Sequence, residues 1–217
     1  MGLFPDVQVP RTKNFNPDTV RNIPYYVDSH IKLTLLQPSG VSWVAELPKL
    51  NNTEVQRNDE FFRDRLRSLQ SVDELVDQVV ARLEDHGILN NTYIFFSSDN
   101  GYHVSQHRLQ PGKKCGFEED INVPLIVRGP KVPEGKMVEF ATSHVDLAPT
   151  FLDILGVSSR DDVDGSPIPL TEDGIAAVDA KKGAREHVQV EFWGKDNPNE
   201  WGGFECECQI RIEQITI

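Results

Sequence analysis

The sequence predicts an α/β protein, and three observations lead there. A long stretch of three- and four-residue apolar spacing is followed at once by a short continuous apolar run, and helix-like and strand-like segments go on alternating to about residue 156. The first run, TYIFFSSDNG, ends abruptly in polar residues, as a buried parallel strand does when it delivers side chains to the carboxyl edge of a sheet. An ordinary Asn-Gly turn is the plainer alternative.

Residues 1 to about 57 are rich in Pro, Asn and charge without a sustained period, and read as an irregular segment lying over something else. From residue 59 to 86, Phe62, Leu66, Leu69, Val72, Val76, Val79 and Leu83 recur at helical spacing with charged residues between them. This is a long amphipathic helix that Gly87 ends. Asn90-Asn91 turns the chain into a strand over 92–97.

A second apolar run, Val123-Pro124-Leu125-Ile126-Val127, is bounded by Gly129-Pro130. Further on, Asp146 is placed to cap a helix that holds Pro149 in its first turn and stops at Gly156. Beyond residue 158 the chain loosens into loop, with a strand candidate at 187–193 and a tail that alternates at Ile210, Ile212 and Ile215. These features divide the chain into a domain over 1–157 and a loop-rich tail over 158–217 with one or two strands.

At 217 residues the chain fits one good-sized domain or part of a larger one. Its 34 acidic residues against 22 basic ones, a net charge of −12, argue against a nucleic-acid partner, which needs a basic surface. No segment reaches the roughly 18 apolar residues of a membrane span, and the first residues do not read as a signal peptide. Cys115, Cys206 and Cys208 define neither a disulfide framework nor a zinc site. Asn51-Asn52-Thr53 and Asn90-Asn91-Thr92 are glycosylation sequons, which matter in a secreted protein.

Asp99 and Asn100, at the end of the first strand, offer a carboxylate and an amide oxygen, the hard donors that calcium or magnesium takes. Two ligands fall short of the six to eight or so oxygens of a calcium ion. Lys113, after a Pro-Gly turn, is suited to an anionic oxygen such as that of sulfate or phosphate, with a solvated loop lysine as the alternative; Lys114 has only the latter reading. His103 and His107 lack a third ligand at zinc-like spacing, and His144 and Asp146 read as structural. Ser97 and Ser98 have no histidine partner or nucleophile elbow, while Cys115 follows two lysines that would lower its pKa. No residue qualifies as a catalytic nucleophile.

Residues FRDRLRSLQSVDELVDQVVARLEDHGILNNTYIFFSSDNGYHVSQHRLQPGKKCGFEEDINVPLIVRGP, with SHVDLAPTFLDILG and DGSPIPL, resemble the sulfatase family, near its fungal arylsulfatases and glucosamine-6-sulfatases. The resemblance runs to about residue 193 and leaves roughly the last two dozen residues atypical. It implies the alkaline-phosphatase-like three-layer α/β/α fold, with the chain corresponding to the carboxyl half of the catalytic domain and the amino-terminal half missing. It further implies a sulfuric ester hydrolase acting on aryl or sugar sulfates, calcium held by Asp99 and Asn100, and sulfate bound by Lys113, four residues before Phe117.

The family's nucleophile, a cysteine in Cys-x-Pro-Ser-Arg converted to formylglycine, has no counterpart here, and neither does its second pair of calcium aspartates. The expectation is therefore an incomplete calcium site and an inactive, poorly soluble chain from a family that works in secreted or vacuolar settings. The alternatives are a non-catalytic interaction module derived from a sulfatase, or a phosphatase or phosphodiesterase relative. The oligomeric state is left open.

Overall fold

Helix α1, Asn52–Asp85, is the longest element and starts ahead of the apolar periodicity. Its first turn is set by polar groups instead. Asn51 Oδ1 accepts from the Glu54 amide at 3.0 Å, and Glu54 Oε2 accepts from the Asn51 amide at 2.8 Å, a reciprocal capping box. Residues 52–57, irregular by the sequence reading, are therefore helical. At the other end Gly87 takes φ +66° and donates to Glu84 O, while Ile88 N reaches back to Leu83 O, closing the helix as the sequence predicts.

The computed structural model describes residues 2–18, 44, 46–113 and 115–181, and the backbone of 211–216. Lys114, Cys206, Cys208 and the strand candidate at 187–193 lie outside the described residues. The chain forms two compact units, one of Met1–Leu75 with His103–Gly112 and the other of Val76–Tyr102 with Lys113–Ile217.

In the first unit, Asp59 is buried on α1 and ties down the amino-terminal segment. Its carboxylate accepts from the Val9 amide and from both terminal nitrogens of Arg11, whose guanidinium stacks 4.1 Å over the Phe15 ring. Asn58, also buried, donates to Ser105 Oγ at 2.8 Å. Ser105, His107 and Arg108 all have positive φ, and the Arg108 guanidinium donates to the carbonyls of Pro17, Asp18 and Leu47. A bend built from residues that resist this backbone is thus stapled by one side chain.

The second unit holds a mixed five-stranded sheet: β1 Ile94–Ser97, β2 Asn122–Arg128, β3 Met137–Val138, β4 Thr142–Ser143 and β5 Arg211–Thr216. The order is β1-β2-β5-β3, with β4 also paired to β5. Strand β5 runs parallel to β2 and antiparallel to β3 and β4. Strand β1 differs from the sequence expectation: it is half-buried and antiparallel to β2, with Ser97 opposite Leu125. The physical reason lies in the connection, whose single helix among the described residues, α2 Glu118–Ile121, is one turn long and cannot serve as the crossover that parallel neighbours need.

Val123, Leu125 and Val127 alternate onto one face of β2 and are fully buried against Val138, Phe140, Ile168, Leu170 and Ile175. Helix α3, Leu147–Ile154, packs Leu147 and Ile154 onto this core, and Phe151 meets Phe95 edge to face at 5.0 Å. Helix α4, Glu172–Ala180, adds Ile175 and Val178 and is capped by Thr171 Oγ1, where the sequence reading has only loop. Asp146 also departs from its expected cap. Its carboxylate accepts from Thr142 Oγ1, the Ser143 amide and the Ser166 amide, so it joins the β4 turn to a later loop instead of bonding the α3 amides.

Candidate functional site

Strand β1 ends at Ser97, and the chain leaves it through Ser98, Asp99, Asn100 and Gly101. Antiparallel pairing sets the start of β2 beside this exit, and α2, which immediately precedes β2, arrives at the same edge. Gly101 N donates to Asp120 O at 2.8 Å and Tyr102 N to Glu119 O at 2.5 Å. A Cβ on residue 101 would stand 2.1 Å from Glu119 O, so only glycine permits this approach.

The loop is shaped by its own polar side chains. Ser98 Oγ donates to Asn100 O, and Asn100 Nδ2 donates to Gly101 O at 2.7 Å. Asn100 Oδ1 accepts from Lys113 Nζ at 2.9 Å. The buried Asp120 carboxylate accepts from the Cys115 amide at 2.8 Å, tying residue 115 to α2. Asp99 is exposed in the same loop. The structure thus joins Asn100 to Lys113 directly and keeps Asp99 one residue away.

Asp99 and Asn100 contribute only oxygen atoms, a donor set that suits a hard cation such as calcium better than zinc. His103 and His107 belong to the first unit, where the buried His103 pairs its main chain with Gly112 and the His107 amide donates to Asn14 O. Cys115 reverses the expectation of an activated thiol. Burial, then the Asp120 charge, then the Glu119 charge push its pKa up to about 12, so at neutral pH it is a buried thiol and no nucleophile.

Gly101 and Asp120, which hold the loop together, escape a reading based on reactive side chains. One signal was available, an acidic residue two positions ahead of an apolar strand, since a buried carboxylate in that place needs a local donor.

The sulfatase family model matches residues 8–157, and the chain belongs to the sulfatase family. It is 44% identical over 169 residues to sulfatase ppz1 of Metarhizium majus, covering 77% of this chain and 36% of that one. It is 36% identical over 199 residues to the N-acetylglucosamine-6-sulfatase of Bos taurus, covering 88% and 31%. It is 47% identical over 104 residues to the extracellular sulfatase SULF-1 homolog of Drosophila melanogaster, covering 48% and 9%. The chain spans about a third of the length of the first two relatives. Its ancestry is that of a sulfuric ester hydrolase, and its mixed helices and strands fit the family's alkaline-phosphatase-like α/β fold.

Proposed function

We propose that the loop after β1 is the sulfate- and cation-binding part of a sulfuric ester hydrolase site, for an aryl or sugar sulfate. The observation that carries this reading is the 2.9 Å bond from Lys113 Nζ to Asn100 Oδ1, which sets an ammonium beside an amide oxygen at the end of a strand. Lys113 binds the anionic sulfate oxygens as a point charge. Asp99 and Asn100 hold calcium, which when bound polarises the ester oxygen. Gly101, Ser98 and Asp120 keep the loop in register through the bonds described above.

This chain's residues bind and orient; no Cys-x-Pro-Ser-Arg occurs in the sequence to supply the covalent step. We place the protein in a secretory compartment. The Drosophila relative is by name extracellular, and a two-residue oxygen set fits the weak calcium sites, with Kd of about 10⁻⁴–10⁻³ M, that suffice outside the cytosol. Among the described residues no helix is long and apolar enough to cross a membrane.

The test is calorimetric titration of the full chain with calcium and, separately, with sulfate. Millimolar calcium affinity that Asp99→Ala removes, and sulfate affinity that Lys113→Ala removes, are the expected results. Affinities that neither substitution changes overturn the assignment. The chain alone is expected not to hydrolyse 4-nitrophenyl sulfate; turnover lost in Asp99→Ala would show a nucleophile where none is assigned.

A further inference from the structure

We propose that Asn90 is an N-glycan acceptor, so that the turn joining α1 to β1 carries an oligosaccharide. The proposal rests on the secretory setting inferred above, and adds to it a site and an outward-facing surface.

Asn90-Asn91-Thr92 is a complete sequon. It falls on a single 3-10 turn, Leu89–Asn91, that buries Leu89 as its anchor and leaves Asn90 and Asn91 exposed. Among the described residues no hydrogen bond engages the Asn90 side chain, so both amide protons are available. Thr92 Oγ1 donates to Ile88 O at 2.9 Å, which holds the turn compact without using the acceptor amide. Asn90 also rims a cleft of about 410 Å³ whose walls include the half-buried Val132 and Pro133. These apolar groups offer the first sugar ring a surface to lie against. The other sequon is built differently: the side chain of Asn51 is the N-cap of α1, with Oδ1 occupied by the Glu54 amide.

The modification is a group transfer from a lipid diphosphate-linked oligosaccharide. Asn90 Nδ2 forms a bond to C1 of the terminal sugar as the C1–O bond to the diphosphate breaks. The lipid diphosphate leaves with that electron pair, and the amide nitrogen gives up one proton to the transferase. Nothing is oxidised or reduced. The bulky product can be accommodated only on a surface open to solvent, so it fixes this turn as an outer face and adds polar cover beside Ile88, which is 49% exposed.

The experiment directs the full chain into microsomes behind a cleavable export signal, in a Thr53→Ala background that silences the first sequon and leaves the Asn51 cap intact. The expected result is one endoglycosidase-sensitive band shift, lost in Asn90→Gln and retained in Thr92→Ser. A chain whose export signal is cleaved but which shows no shift overturns the Asn90 assignment. In parallel, the peptide spanning residue 90 from the protein in its own source is sequenced by mass spectrometry after enzymatic deglycosylation in heavy-oxygen water. An unlabelled native peptide beside a glycosylated microsomal chain overturns the secretory setting, and with it the glycan in the living cell.

Discussion

The two faces of strand β2 meet different surroundings. Val123, Leu125 and Val127 are buried completely under α3 and α4, whereas Ile126, between two of them, is 44% exposed, and its cross-strand partner Phe96 is 38% exposed. The sequence does not distinguish the faces, since Val-Pro-Leu-Ile-Val is the continuous apolar run of a strand buried on both sides. Residue identity at 126 and 96 thus implies a cover that the described residues do not supply. What lies open is a face and not an edge, because β2 is hydrogen-bonded on both sides, to β1 and to β5.

The sharpest way to break this comparison is truncation on each side. Leu125→Ala empties a fully enclosed site and is expected to cost about 2–5 kcal/mol, while Ile126→Ala, on the open face, should cost less than about 1 kcal/mol. Urea unfolding of the two variants measures both. Equal losses would mean that the outer face is packed after all.

A smaller effect tests the loop that the sheet edge supports. Gly101→Ala drives a methyl into Glu119 O and is expected to cost about 1–3 kcal/mol, and to weaken calcium and sulfate binding by parting Asn100 from Lys113. Gly135→Ala separates the two possible costs, since no atom lies within 4 Å of its would-be Cβ and any loss there comes from its φ of +66°, a strain that residue 101 does not share. Stability, calcium binding and sulfate binding all unchanged in Gly101→Ala would remove the steric argument.

The last prediction reads burial chemically. Cys115 should resist iodoacetamide in the folded chain at pH 8 and react once the chain is unfolded, as followed on its own peptide. Folding raises the thiol's pKa from 9.0 to about 12, so the stability tied to this group is intact below pH 9.0 and is lost as pH rises between those values. Ready alkylation of the native chain would show that the pocket opens.

Legibility in the sequence followed the kind of force at work. The middle of α1 could be read because apolar spacing is periodic, and its start could not, because Asn51 and Glu54 cap it with polar atoms outside any period. Helix α4 was hidden because Glu172–Ala180 contains Gly174 and buries mainly Ile175. The direction of β1 was also hidden, being a property of the connection to β2 and not of the residues in the strand. At the site, Asp99, Asn100 and Lys113 stood out by residue type. Their support comes mostly from main-chain carbonyls at 119 and 120, which every residue possesses and no sequence advertises.

Strand β5 pairs with β2, β3 and β4, yet its residues 211–216 follow all of them by a long interval. On a ribosome, β1 and β2 can pair as soon as both have emerged, but among the described strands β3 and β4 pair only with β5 and wait for it to appear. The nascent chain therefore waits with β2 open along one side until residues 211–216 have emerged, and pairing across so large a sequence separation is slow to form. Whatever delays β5, a pause in synthesis included, prolongs the time for which that side of β2 is exposed to other chains.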